Sequence, residues 1–262
     1  CRILLKYNAG KLWNSQNRQD DNQVIPLHDD NPTEIVPLLT IAFIVICVLV
    51  FFWQMSLGGQ GNQAAVYSLG VIPAVLLNKE QLPPELALIP AELTVFTSMF
   101  MHGGFMHLAG NMLYLWIFGN NVEDAMGHVR FVIFYLLCGI AAVFGQVLQN
   151  PASEIPMIGA SGAISGVLGA YLLLYPHARI LVLIPLGFYA HMVRLPAGLV
   201  LGFWFVIQIA SSLAADPNSA GVAWFAHIGG FIAGMALIPF FKRRQVTLLH
   251  PVHGSRRWHK RL

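Results

Sequence analysis

Ser161 stands between Ala160 and Gly162 in "GASGAISG" (159–166), at the head of an apolar run without charge as far as Pro176. A serine hydroxyl becomes a useful nucleophile only when a neighbouring base takes its proton. The base of the right type is His227, in "AHIGGFIAG" (226–234). A third polar set, His102, His107 and Asn111, occurs in "MHGGFMHLAGNMLYLW" (101–116). Amide and imidazole N–H groups suit a developing oxyanion, whose stabilisation is usually the largest catalytic contribution in acyl transfer. These residue types together would suit amide hydrolysis by a Ser–His pair, with Asn111, His107 and the Ser161 backbone N–H as candidate oxyanion donors. The competing reading is structural: small residues around Ser161 let helices approach, and His227 is a hydrogen-bonded packing residue.

The chemistry requires elements that bring distant residues to one depth. Of the 262 residues 56% are hydrophobic and 10% charged, against about 25% charged in soluble domains, so the chain reads as a polytopic membrane protein. A membrane helix needs about 20 mostly apolar residues. Six segments qualify, roughly 35–53, 105–118, 129–148, 157–175, 195–211 and 222–241. The expected fold is an all-α bundle of six transmembrane helices: a polar tail over 1–33, a membrane domain over 34–242 and a basic tail over 243–262. The connection over 54–102 is broken by Pro73, Pro83, Pro84 and Pro90. It is too interrupted to span, and suits either a segment lying in the membrane interface or an ordinary loop. With six spans, every Lys and Arg except Lys79 falls on the side of the two termini; the positive-inside rule makes that side cytoplasmic. The terminal "SRRWHKRL" then reads as a topology anchor or anionic-lipid contact rather than a nucleic-acid site. The chain begins at Cys1, as a processed or truncated product would, and residues 1–20 lack the apolar core of a signal peptide.

On this topology three spans start at the outer side. At 1.5 Å per residue Ser161 lies about 6 Å along the fourth and His227 about 7 Å along the sixth, with Asn111 about one turn deeper than His107 on the second. Gly162, Gly166 and Ala170 on the fourth span and Gly230 and Gly234 on the sixth form small-residue stripes that permit close backbone approach. All twelve Asp and Glu residues lie outside the span interiors, so the expectation is a dyad whose imidazole is oriented by packing. His102 and His107, five apart, would diverge by about 140° on a continuous helix; with no HExxH present, neither a metal site nor a cofactor is expected. Three cysteines give no disulfide framework.

The motifs "HLAGN" (107–111), "GNNVED" (119–124), "GASGAISG" (159–166) and "AHIGGFIAG" (226–234), in this order, resemble those of the rhomboid family of intramembrane serine proteases, over roughly residues 25–242. The resemblance implies a prokaryotic six-span member in the cell membrane, with Ser161 as nucleophile and His227 as general base. It implies that His107, Asn111, Gly159 and Ala160 belong to the oxyanion and substrate-binding region. Glu123, His102 and the glycines 162, 166, 230 and 234 would be structural supports. Two positions depart from the family pattern. Leu93-Thr94 stands where many members carry Trp-Arg, and Ser165 stands where some bacterial members carry a tyrosine stacked on the histidine; His227 must therefore be oriented another way. The implied substrates are single-span membrane proteins with helix-weakening residues near the outer face, reaching the site past the fifth span beneath the "ADPNSAGV" loop (215–222). The alternatives are a catalytically silent binding protein or chaperone for transmembrane helices, and a transporter. Midplane polar groups and an internal repeat would mark the transporter. The oligomeric state is not legible.

Overall fold

A computed structural model describes residues 25–186, 189–215 and 221–249. The tail residues 1–24 and 250–262, and most of the 215–222 loop, lie outside the described residues. The described chain is mostly helical. Helix α1 (Leu38–Ser56) is followed by α2 (Gly58–Leu69) and by two four-residue helices, α3 (Pro73–Leu76) and α4 (Thr94–Thr97). Then come α5 (Phe105–Met126), α6 (His128–Gln149), α7 (Ser161–Leu174), α8 (Ala197–Ala214) and α9 (Trp224–Phe241). Helices α1, α6, α8 and α9 are each long and apolar enough to cross a membrane. This is an integral membrane protein.

Helix α7 is only 14 residues long, and every residue from Gly162 to Tyr171 is buried. At 1.5 Å per residue it covers about 21 Å. Its neighbours α5, α6, α8 and α9 surround it. Such a helix is apolar all round because no face meets solvent or lipid. Large side chains fill the core beside it, among them Phe118, Phe131, Phe134, Tyr135 and Phe231.

The all-α expectation needs correction. Strands β1 (Ile25–Asp29), β2 (Arg179–Leu186) and β3 (Tyr189–Pro196) form an antiparallel sheet in the order β1-β2-β3. The register of β2 and β3 runs from Arg179 opposite Pro196 to Leu186 opposite Tyr189. Residues 178–183 alternate between buried and more exposed positions, the period-2 pattern of a strand: Ile180 and Val182 are fully buried and join the main core. A transmembrane reading treats anything between spans as loop and passes over that period. β1 adds to the other edge of β2 and is pinned to the helices by Asp29. Its carboxylate accepts from the Tyr171 hydroxyl of α7 at 2.6 Å and from Asn121 Nδ2 of α5 at 2.9 Å. Burial raises the Asp29 carboxyl to about 6, against the lowering effect of the Tyr171 bond.

Candidate active site

The site begins with how closely α7 and α9 cross. A Cβ built on Gly230 would collide with the carbonyl of Gly162, and one on Gly234 with the carbonyl of Gly166. Gly162 itself faces Ala142 of α6, where an added Cβ would sit at 2.6 Å. The two small-residue stripes are therefore in backbone contact. That contact brings the first turn of α7 level with the first turn of α9. His227 Nε2 lies 2.8 Å from Ser161 Oγ, within the reach a general base requires. Both residues are partly buried rather than sealed.

The other face of the imidazole holds a residue that the sequence reading missed. His227 Nδ1 lies 2.7 Å from Gln208 Oε1 on α8. Gln208 is 4% exposed, and its Nε2 donates to the Trp204 carbonyl at 3.2 Å. The ring planes of Trp204 and His227 are tilted by 31° with centroids 6.0 Å apart, and Trp224 meets the imidazole edge-on at 6.1 Å. Two tryptophans and an amide thus surround the imidazole. Ser165 Oγ instead donates back to the Ser161 carbonyl at 2.7 Å. The available signal was a lone glutamine within the apolar "FWFVIQIASS" (203–212), a polar group inside a membrane helix.

The expected donor side gathers around Gly159. This glycine has φ of +134°, a conformation that side chains disfavour. A Cβ there would lie 2.8 Å from His107 Nε2 and 3.6 Å from Ser161 Oγ, so the missing side chain leaves the space between imidazole and hydroxyl open. Gly159 N–H donates to the Ser98 carbonyl at 2.9 Å, and the Val71–Met157 bridge ties the same segment to the connection before α5. Ala160, fully buried, forms the cap of α7. Asn111 is 7% exposed and lies one turn beyond His107 on α5; its Nδ2 has no partner among the described residues.

His102 corrects the helix-spacing argument. It precedes α5 rather than lying on it, so its ring packs edge-on against His107 with centroids 5.2 Å apart. Gln54 of α1 clamps its backbone, with Oε1 accepting the His102 N–H at 3.0 Å and Nε2 donating to the His102 carbonyl at 3.3 Å. No group of three or more His, Cys, Asp or Glu residues among those described could hold a metal.

Glu123 lies far along α5 from His107, beside the start of α1. Its fully buried carboxylate accepts from the backbone N–H groups of Leu39 and Thr40 at 3.0 and 2.8 Å, from Thr40 Oγ1 at 2.7 Å and from His128 Nδ1. It caps the N-terminus of α1 from another helix, where unsatisfied N–H groups and the helix dipole favour an anion.

Comparison with known proteins gives the same grouping. The rhomboid domain matches residues 91–244. Rhomboid protein 1, mitochondrial, of Saccharomyces cerevisiae is 30% identical over 192 residues, covering 67% of this chain and 49% of that protein. Rhomboid protease GluP of Bacillus subtilis is 31% identical over 201 residues, covering 77% and 35% respectively. RHOMBOID-like protein 1 of Arabidopsis thaliana is 32% identical over 160 residues, covering 61% and 36%. The chain spans about a third to a half of the length of these relatives. With the matched domain reaching from the connection before α5 to the end of α9, this chain belongs to the rhomboid family.

Proposed function

We propose that this protein is an intramembrane serine protease that hydrolyses peptide bonds in or near the transmembrane segments of single-span membrane proteins. The observation that carries the reading is the 2.8 Å approach of His227 Nε2 to Ser161 Oγ. On this reading Ser161 Oγ attacks the substrate carbonyl while His227 takes its proton. The oxyanion that forms is met by Asn111 Nδ2, the His107 imidazole and the Ser161 N–H at the start of α7. Collapse expels the amine, which receives the proton from His227, and water then releases the acyl group by the same steps in reverse roles. Family membership and the relative named a rhomboid protease support the assignment.

In this reading α1, α5, α6, α7, α8 and α9 are the six spans. The sheet end carries Arg130, Arg179, Arg194, Lys242, Arg243 and Arg244 and faces the cytoplasm by the positive-inside rule. The Ser161–His227 pair then opens to the extracytoplasmic side, where water reaches it. A helical substrate hides its carbonyls in its own hydrogen bonds, so glycine, proline and small polar residues near that face mark the segments that unwind.

Ser161→Ala tests the proposal. Alanine packs on the α7 stripe as serine does, so the variant should keep the wild-type melting temperature. Cleavage of co-expressed tagged single-span proteins should fall by about a thousandfold or more. Cleavage near the wild-type rate would remove Ser161 from the mechanism; absence of cleavage by the wild type as well would leave helix binding without proteolysis as the function.

A further inference from the structure

The contacts of Gln208 point to a third working member of the site. We infer that Gln208 is a positioning residue that fixes the tautomer of His227, so that the hydrolytic unit is Ser161–His227–Gln208 spread over α7, α9 and α8. The inference rests on the protease reading for its consequence, but its structural core stands on hydrogen-bond donors and acceptors alone. An amide can present either its oxygen or its nitrogen to a neighbour. Here the Trp204 carbonyl, an acceptor only, takes the Gln208 Nε2–H group at 3.2 Å, so the oxygen is the end that faces His227 at 2.7 Å. An oxygen acceptor at that distance requires a proton on Nδ1. A neutral imidazole carries one ring proton, so Nε2 is left with its lone pair, aimed at Ser161 Oγ 2.8 Å away. The opposite tautomer would set an N–H against the serine hydroxyl and strand the amide oxygen.

A glutamine suits this position better than the carboxylate used by many soluble serine hydrolases. It supplies the acceptor without placing a charge in the bilayer, where ionised groups are costly. The geometry is held from both ends: Gln208 is fixed within its own helix by the i−4 carbonyl of Trp204, and the Trp204 ring lies along the imidazole. In a soluble serine protease, an altered acceptor that inverts the tautomer costs about 10⁴ in kcat. A neutral acceptor should matter less than an ionic one, and at least a tenfold loss is expected here.

The test uses full-length protein in detergent micelles. Three quantities are read: the rate of labelling by a fluorescent fluorophosphonate, the ¹⁵N chemical shifts of selectively labelled histidines, and the melting temperature. Gln208→Met keeps the volume and removes the acceptor; Gln208→Glu keeps an acceptor oxygen. The wild type should show His227 protonated on Nδ1. Gln208→Met should lose that single tautomer and label at least tenfold more slowly, and Gln208→Glu should label faster than Gln208→Met. If the Met variant does not fold, Gln208→Asn serves, because its amide is drawn back by one methylene. A tautomer unchanged in the acceptor-free variant, with labelling within twofold of wild type, would overturn the inference even if melting temperature drops. Failure of the wild type itself to label would instead count against Ser161 as nucleophile, and the ¹⁵N shifts would still decide the role of Gln208.

Discussion

The two ends of the helix bundle use buried polar groups in opposite ways. At the sheet end two buried carboxylates are met by hydrogen-bond donors. Glu123 takes four donors and Asp29 two. At the Ser161 end the groups are uncharged side chains, and some bonding capacity is left open. Asn111 Nδ2 and both ring nitrogens of His102 lack partners among the described residues. A buried donor without a partner costs roughly 1–3 kcal/mol, so a fold that retains one holds a destabilised group. On the protease reading, Asn111 Nδ2 is left open for an oxyanion, whereas the bonded carboxylates of Glu123 and Asp29 tie elements together; the contrast would then separate mechanical from chemical roles among residues of similar burial.

Substitutions can break or sharpen this contrast, and their effects on rate should descend in the following order. Gly234→Ala should have the largest. Its Cβ meets the Gly166 backbone, which cannot rotate away, so α7 and α9 must separate and carry Ser161 from His227. Fluorophosphonate labelling should fall about a hundredfold, and overpacking should remove about 1–3 kcal/mol of stability. Gly202→Ala on α8, where nothing lies within 4 Å of the added carbon, is the control and should leave both unchanged. Asn111→Ala should come next, with kcat at least tenfold lower and KM little changed, because an oxyanion donor acts mainly in the transition state. Single-turnover cleavage and melting temperature on one sample decide it: an unaltered rate with a lowered melting temperature would move Asn111 to the mechanical group.

Glu123→Gln should invert that pattern. It removes the anion that four donors share, costing on the order of 3 kcal/mol, while the folded fraction labels at the wild-type rate. A thermal melt alongside active-site titration separates the two quantities. Asp29→Asn should likewise leave the rate unchanged, and its signature is in the pH dependence of stability. The folded carboxyl holds its proton up to about 6, whereas an unfolded aspartate releases it near 3.9. Between those values the folded protein binds more protons, so stability declines as pH rises. The contribution is complete below about pH 4 and lost above about pH 6, at most about 3 kcal/mol. Asp29→Asn should flatten that part of the wild-type curve; an unchanged slope in melts from pH 4 to 8 would show that Asp29 is not its source.

The long apolar stretches and the Ser161–His227 meeting were legible because each has a local signal. Uncharged runs mark the helices, and glycine stripes on two of them forecast a backbone crossing that aligns the residues at their starts. The sheet was not legible under a membrane reading, since strand alternation in "RILVLIPL" is as apolar as a helix and its partner β1 is about 150 residues earlier in sequence. Gln208 was missed for a related reason. The role of an acceptor depends on which donor faces it, and His227 lies on another helix. The edge-on meeting of His102 with His107 was not legible because helix spacing does not extend across the start of α5.

Helix α8 is anchored at few points. Of its 18 residues only Ala197, Leu201 and Gln208 are buried, whereas α7 is buried along nearly its whole length. A helix with few buried residues therefore carries the acceptor that faces His227. Hydrogen bonding fails by about 3.6 Å, so from 2.7 Å an outward shift of α8 by about 1 Å releases the imidazole. On the protease reading, this would make α8 an interlock: the Ser161–His227–Gln208 chain of hydrogen bonds is complete only while α8 is seated.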